Sequence, residues 1–223
     1  MNHRFFFEQD LVEGATVALQ GDERHHARVL RLRASEAVEL FDGRGANWLA
    51  RFESEDALHI VGRAPDRERK GAVHLAMAII QLDRFEFVLQ KVTELGAASI
   101  VPLRTERTEV RPERWKGKTA RWEKIVFEAV KQSGRSRIPP IEPPADFEAV
   151  IARPGTKIVF DADVEPDTGE SPAPTTLFIG PEGGWSEREI VLARNSNARF
   201  ERLGPRRLRA ETAAIVALAR QPA

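Results

Sequence analysis

Leu177-Phe178-Ile179-Gly180-Pro181-Glu182-Gly183-Gly184-Trp185-Ser186-Glu187-Arg188-Glu189 places a buried strand, a glycine-rich bend and a helix start in immediate succession. Thr176 to Ile179 is apolar enough for a strand covered on both faces, the pattern of a parallel sheet. Ser186 and Glu189 have the S-x-x-E spacing of a capping box, which fixes where the helix opens. Gly180, Gly183 and Gly184 admit positive φ and leave the backbone bare for a ligand. In an open α/β sheet, ligands bind at the carboxyl ends of strands. The same residues would also serve an ordinary strand-to-helix turn, and the segment alone does not choose. Its Gly-x-x-Gly-Gly spacing is neither the Walker loop nor the dinucleotide fingerprint, so nucleoside triphosphates and nicotinamide dinucleotides lose support.

Downstream, Phe200-Glu-Arg-Leu203-Gly204-Pro-Arg-Arg-Leu208-Arg209-Ala-Glu211-Thr212-Ala213-Ala-Ile-Val216 reads as a short strand ending at Leu203, a Gly-Pro turn, and a terminal helix starting near Glu211. A helix apolar nearly all round is deeply buried or lies in a subunit interface. Upstream, Ala72 to Ile80 is a nearly continuous apolar run, and Ser99 to Leu103 and Thr156 to Phe160 are further buried strands. Arg84 to Leu95 carries Phe85, Val88, Leu89, Val92 and Leu95 at helical spacing and stops at Gly96. Arg114 to Ser133 reads as one long helix with Trp122 on its apolar side, and Asp161 to Pro174 as a long acidic, proline-bearing loop. Alternating strands and helices define an α/β domain with a largely parallel sheet over residues 72–223.

Residues 1–70 read differently. Val38 and Leu40 alternate with polar residues, Asp42-Gly-Arg-Gly45 is a turn, and Trp48, Ala50 and Phe52 share one face of a returning strand. Leu58 to Val61 is another strand, His25 to Leu32 a short helix, and Pro65 to Gly71 a charged linker. This is a small β-rich module.

The chain's 223 residues contain no cysteine, which excludes disulfides, thiolate metal sites and cysteine nucleophiles. Apolar runs reach about seven residues, far short of the ~18 that cross a bilayer. No apolar h-region follows Met1, so the expected location is the cytoplasm. Charge sums to zero but is distributed in blocks: residues 104–137 carry 11 positive and 5 negative charges, and residues 138–176 carry 2 and 8. Of the cations 27 are Arg and 7 Lys, and the Arg fork suits phosphates and base edges. Arg104, Arg107, Arg111, Arg135 and Arg137 within the basic block, with Arg28, Arg31 and Arg33 on the small module, are candidate RNA contacts; a solvated helix face is the competing reading. Adjacent His25 and His26 point to different sides of a helix, and no metal site is expected.

Gly180-Pro-Glu-Gly-Gly followed by Leu203-Gly-Pro-Arg-Arg-Leu-Arg209-Ala-Glu-Thr-Ala213 resembles the RsmE family of the SPOUT superfamily. His3-Arg-Phe-Phe6, His25-His-Ala-Arg-Val-Leu-Arg31, Lys91-Val-Thr-Glu-Leu-Gly96 and Gln132-Ser-Gly-Arg135 sit where that family has similar stretches, so the resemblance spans the chain. Lys131 departs from it, standing where an acidic residue is expected. The resemblance implies S-adenosylmethionine-dependent methylation of N3 of a uridine in 16S ribosomal RNA. It also implies a PUA-like N-terminal β-barrel, a C-terminal α/β domain tied in a trefoil knot, and a homodimer with the cofactor pocket near the subunit boundary. It places Ile179, Gly180, Pro181, Glu182, Gly183, Leu203, Gly204, Leu208, Thr212 and Ala213 around the cofactor.

S-adenosylmethionine has no phosphate to cradle, so its site needs open backbone groups more than lysines. Deprotonated uridine N3 needs positive donors near O2 or O4, and Arg209 is the leading candidate, with Arg135 second. Arginine cannot act as the base. Glu182 and Glu211 are nearby carboxylates that could equally be capping or paired groups, so the proton acceptor stays unassigned. N3 lies on the Watson–Crick edge, so the target must be unpaired or drawn out of its stack. A ribose 2′-hydroxyl methyltransferase of the same superfamily is disfavoured by Glu211-Thr-Ala213 where a Ser-Leu-Asn-like motif would stand. A non-catalytic RNA-binding protein is disfavoured by the intact glycine bends.

Overall fold

The computed structural model describes residues 3–54, 56–167 and 175–222. The chain divides into two compact units, one comprising residues 1–68 with 130–138, the other residues 69–129 with 139–223.

In the first unit, β1 (His3–Phe6), β2 (Thr16–Ala18), the helix α1 (Gly21–Leu30), β3 (Ala37–Phe41), β4 (Asn47–Ser54) and β5 (Ala57–Arg63) build a five-stranded sheet ordered β1-β3-β4-β5-β2. Strands β3, β4 and β5 run as an antiparallel meander, whereas β1 adds parallel to β3 with His3 opposite Val38. Alternation puts Val38, Leu40, Trp48, Ala50, Phe52, Leu58 and Ile60 into one core with Phe5, Leu19 and Ala27. The helix begins at Gly21, earlier than its apolar residues indicate, because the acidic Asp22 and Glu23 suit a first turn.

The remainder of this unit is held by buried charge. Arg4 donates to the carbonyls of Val130 (3.0 Å) and Arg135 (2.8 Å) and to Asn47, with Glu39 beside it at 3.4 Å. Arg67 forks onto both oxygens of Glu39, each at 2.8 Å. That hydrogen bond and the charges of Arg67 and Arg4 outweigh burial and hold the Glu39 carboxyl below the usual range. Glu68 accepts from Arg135 and from the backbone N–H groups of Ser136 and Arg137. Lys131 sits 2.8 Å from both oxygens of Glu23. The stretch around Pro65 to Gly71 is therefore no slack tether: it has no regular secondary structure, yet Arg67 and Glu68 are bound into the first unit.

The second unit contains β6 (Val73–Ala78), α2 (Leu82–Glu94), β7 (Ser99–Arg104), α3 (Pro112–Trp115), α4 (Thr119–Ser133, its last turn assigned to the first unit), β8 (Ala145–Asp146), α5 (Phe147–Ile151), β9 (Thr156–Phe160), β10 (Thr175–Ile179), α6 (Glu187–Asn195), β11 (Arg199–Glu201) and α7 (Ala210–Ala219). Its sheet is ordered β11-β9-β10-β6-β7-β8, and every pairing is parallel. Central strands are apolar throughout, with Leu75, Ala76, Met77, Leu177 and Phe178 fully buried, as a sheet covered on both faces requires.

The single helix expected over Arg114 to Ser133 is two. Gly117 takes φ +77°, a left-handed conformation that ends α3 before α4 begins. Trp115 and Trp122 are both buried, so neither offers a stacking face. Of the acidic loop 161–174, residues 168–174 lie outside the described residues. No helix among the described residues is long and apolar enough to cross a membrane.

Candidate active site

Parallel pairing sets Phe160, Ile179 and Glu201 side by side, so β9, β10 and β11 finish level. Beyond that edge lies a cavity of about 350 Å³, within the size range of small-molecule sites. Asp161 and Ala162 line it after β9, and Gly180, Pro181, Glu182, Gly184 and Trp185 after β10. Leu203, Gly204 and Arg206 to Arg209 close it after β11, and Ala210 and Ala213 of α7 form a further wall.

The first bend is fixed by its own sequence. Ser186 caps α6 by accepting the Glu189 N–H, while the Glu189 carboxylate accepts the Ser186 N–H, completing the capping box. The buried Glu189 also accepts from the Glu106 N–H at 3.0 Å. Trp185 folds back under the bend, donating its indole N–H to the Phe160 carbonyl at 3.1 Å. A Cβ on Gly180 would stand 3.1 Å from that indole, so the ring's position favours glycine there. Gly183 gives its carbonyl to Arg107 at 2.8 Å.

The cavity offers a small-molecule ligand bare backbone groups and positive charge. Gly184 (φ +70°) and Gly204 (φ +132°) hold conformations other residues avoid, and a Cβ at either would meet nothing within 4 Å. Bare backbone thus faces open space from both bends. Helix α7 starts at Arg209 with no side-chain cap, leaving its first N–H groups to a ligand. Lysine is absent from the lining, and Arg206, Arg207 and Arg209 supply the positive charge. Arg207 is paired with Asp163, whereas Arg209 is exposed and has no ion pair among the described residues. Arg84 spans the carboxylates of Glu182 (3.5 Å) and Glu211 (4.0 Å), and Glu211 Oε2 is buried without a hydrogen bond. Among the described residues no cluster of three or more His, Asp or Glu could hold a metal.

Of the sequence-predicted cofactor residues, Ile179, Gly180, Pro181, Glu182, Leu203, Gly204, Leu208 and Ala213 line the cavity. Gly183 and Thr212 do not: Gly183 serves the Arg107 contact, and Thr212 is exposed. Arg209 lines it and Arg135 does not. Arg135 is buried in the first unit with its guanidinium on Glu68 at 2.9 Å. The candidate RNA contacts are also divided. Arg28, Arg31, Arg33 and Arg137 are exposed in the first unit. Arg104 is bound by Asp146 and Arg107 by Gly183, and Arg121, Lys131 and Arg135 are likewise paired, whereas Arg111, Arg114, Lys116 and Lys124 are exposed with no ion pair among the described residues. Trp185 and Asp161 line the cavity although the sequence reading assigns neither to it; for Asp161 the available signal is its place as the first residue after an apolar strand run.

Residues 67–221 match the RNA methyltransferase domain family, and residues 19–63 match the RNA methyltransferase PUA domain family. The class is thus an RNA methyltransferase with a PUA domain. The ribosomal RNA small subunit methyltransferase E of Synechocystis is 35% identical over 98% of this chain and 77% of its own length. A crystal structure of a ribosomal RNA small subunit methyltransferase E from Neisseria gonorrhoeae bound to S-adenosyl methionine is 33% identical, with a TM-score of 0.89 over 98% of this chain and 96% of that one. A methyltransferase from Legionella pneumophila in complex with the same cofactor is 32% identical, with a TM-score of 0.85 over 98% and 96%. This chain belongs to the ribosomal RNA small subunit methyltransferase E family.

Proposed function

We propose that the protein methylates N3 of a uridine in 16S ribosomal RNA, with S-adenosylmethionine as donor. The observation that carries this reading is the cavity walled by two glycine bends at the level ends of β9, β10 and β11, in a chain of this family. The cofactor, when bound, supplies a methyl group activated by a sulfonium. The backbone of Gly180, Gly184, Leu203, Gly204 and Leu208 orients it, and the walls at Ile179, Pro181, Glu182 and Ala213 exclude water. Alignment is the larger part of an in-line transfer, because it converts an encounter into an intramolecular step. Arg209, exposed at the cavity and free of ion pairs among the described residues, donates hydrogen bonds to O2 or O4 of the uracil and so stabilises the deprotonated N3.

The N-terminal residues 1–70 act as a PUA-like barrel that contacts RNA through Arg28, Arg31 and Arg33, joined by Arg137 of the same compact unit, and residues 72–223 carry a knotted SPOUT domain. Two copies associate through α7, whose Ile215 and Val216 remain half-buried in the single chain. The substrate is ribosomal RNA of the small subunit, assembled or naked, in the cytoplasm. The test is incubation with small subunits and with free 16S RNA in the presence of S-adenosylmethionine, followed by mass-spectrometric mapping. One new N3-methyluridine supports the reading; methylation at a ribose, or none on either substrate, overturns it.

A further inference from the structure

Asp161 is the first residue beyond β9 and lines the cavity, yet neither bend contains it. Its backbone N–H is fixed by the Glu201 carbonyl at 3.2 Å. One carboxylate oxygen, Oδ1, accepts the N–H groups of Asp163 (2.7 Å) and Val164 (3.3 Å), which locks the side chain over its own turn. The other oxygen, Oδ2, has no partner among the described residues. The other carboxylates of the lining differ: Glu182 faces Arg84, and Glu201 is bound by Arg199. Asp161 therefore presents a held, unspent acceptor at the end of a strand adjoining the first bend.

We propose that Asp161 Oδ2 accepts hydrogen bonds from the ribose hydroxyls of the cofactor; this rests on the cofactor reading of the cavity. The charge layout selects the ribose over the amino-acid end. The cofactor's carboxylate is drawn to Arg206 and the uncapped start of α7. Its ammonium stands on the same carbon and goes with it. The donors left to face β9 are the ribose hydroxyls and the adenine amino group, and of these the ribose is the one that carboxylates at strand ends commonly take.

The Asp161→Asn substitution isolates the claim, because the amide oxygen keeps the turn contacts of Oδ1 while the NH₂ turns Oδ2 from acceptor to donor. Binding is measured by titration calorimetry with S-adenosylhomocysteine and with 5′-methylthioadenosine, which lacks the amino-acid end. Asp161→Asn is expected to weaken both about 10- to 100-fold, the range of one charge-assisted hydrogen bond, with an unchanged melting temperature. On the unsubstituted protein, 2′-deoxy-5′-methylthioadenosine is expected to bind more weakly than its ribose parent, and Asp161→Asn to narrow that difference. Unchanged binding of 5′-methylthioadenosine, or a loss confined to S-adenosylhomocysteine, overturns the proposal and leaves the cofactor reading intact. Failure of the unsubstituted protein to bind either compound overturns both.

Discussion

Glu68 gives the most direct measure of how much the buried charges contribute. Its carboxylate accepts from the Arg135 side chain at 3.1 and 2.9 Å and from the Ser136 and Arg137 N–H groups at 2.7 and 2.9 Å. The two side chains are 10% and 5% exposed, so solvent cannot replace a missing partner. Glu68→Ala removes one partner of a buried guanidinium and leaves two backbone donors unmatched, a change that costs about 3–5 kcal/mol. If the whole chain unfolds together, that is a fall of roughly 6–20 °C in its transition, read by calorimetry, with hydrogen exchange on residues 130–138 as the local readout. Replacing both partners, Glu68→Leu with Arg135→Met, should recover much of the loss, because the desolvation cost leaves with the charges. Acid provides an independent check. Burial raises the Glu68 carboxyl, and the hydrogen bonds from Arg135, Arg137 and Ser136 with the Arg135 charge bring it net below the ordinary 4.5. A group lowered by folding contributes fully above its unfolded pKa and loses that contribution as pH falls through the folded value. The gap between the unsubstituted protein and Glu68→Gln should therefore close below about pH 4.5. A Glu68→Ala cost under about 1 kcal/mol, the worth of a surface pair, would refute the reasoning.

Three further outcomes are expected. Arg209→Ala should lower single-turnover methyl transfer about 10²- to 10³-fold while cofactor affinity by calorimetry stays unchanged; an equal rate would remove its role on the base. Gly204→Ala, forced to φ +132° with no clash to relieve, should cost about 1–3 kcal/mol by denaturant melt and weaken S-adenosylhomocysteine, since the methyl projects into the open space; a neutral effect on both would show the bend to be a plain turn. RNA affinity should fall steeply with salt, and Arg28→Ala with Arg31→Ala and Arg33→Ala should flatten the log–log slope by about 0.7–0.9 for each phosphate that is no longer neutralised; an unchanged slope would place the RNA elsewhere.

Local chemistry is readable wherever a residue type acts on its own neighbours. Ser186 and Glu189 announce α6, the apolar run at 175–179 announces β10, and Gly96 and Gly134 stand at positive φ beyond their helices. Gly117 carries the same signal but is outweighed by periodicity, because Trp115 and Trp122 are seven residues apart and both buried. Partnerships distant in sequence leave no such trace. Nothing near residue 185 shows that its indole meets the carbonyl of Phe160, and nothing near residue 4 shows that Arg4 will reach the carbonyls of Val130 and Arg135. Of the expected cofactor set, Gly183 and Thr212 stand off the cavity for a similar reason: a tight bend and a helix turn successive groups in different directions, and sequence does not say which face the ligand.

Charge shows the same limit more sharply. The basic block 104–137 reads as a track because every arginine in it counts as one cation. Folding assigns several of them carboxylates drawn from far along the chain: Asp146 to Arg104, Glu86 to Arg121, Glu23 to Lys131 and Glu68 to Arg135. A guanidinium already forked onto a carboxylate must exchange that partner for a phosphate and gains little net energy by doing so. The cations with most to gain are the exposed ones for which no carboxylate is assigned among the described residues; these include Arg28, Arg31, Arg33 and Arg137 in the first unit, Arg111, Arg114, Lys116 and Lys124 within the block, and Arg206 and Arg209 on the cavity. Pairing after folding therefore refines the charge count by segment; Arg104→Ala is expected to weaken RNA binding less than Arg31→Ala, and the reverse order in a titration at fixed salt would overturn that inference.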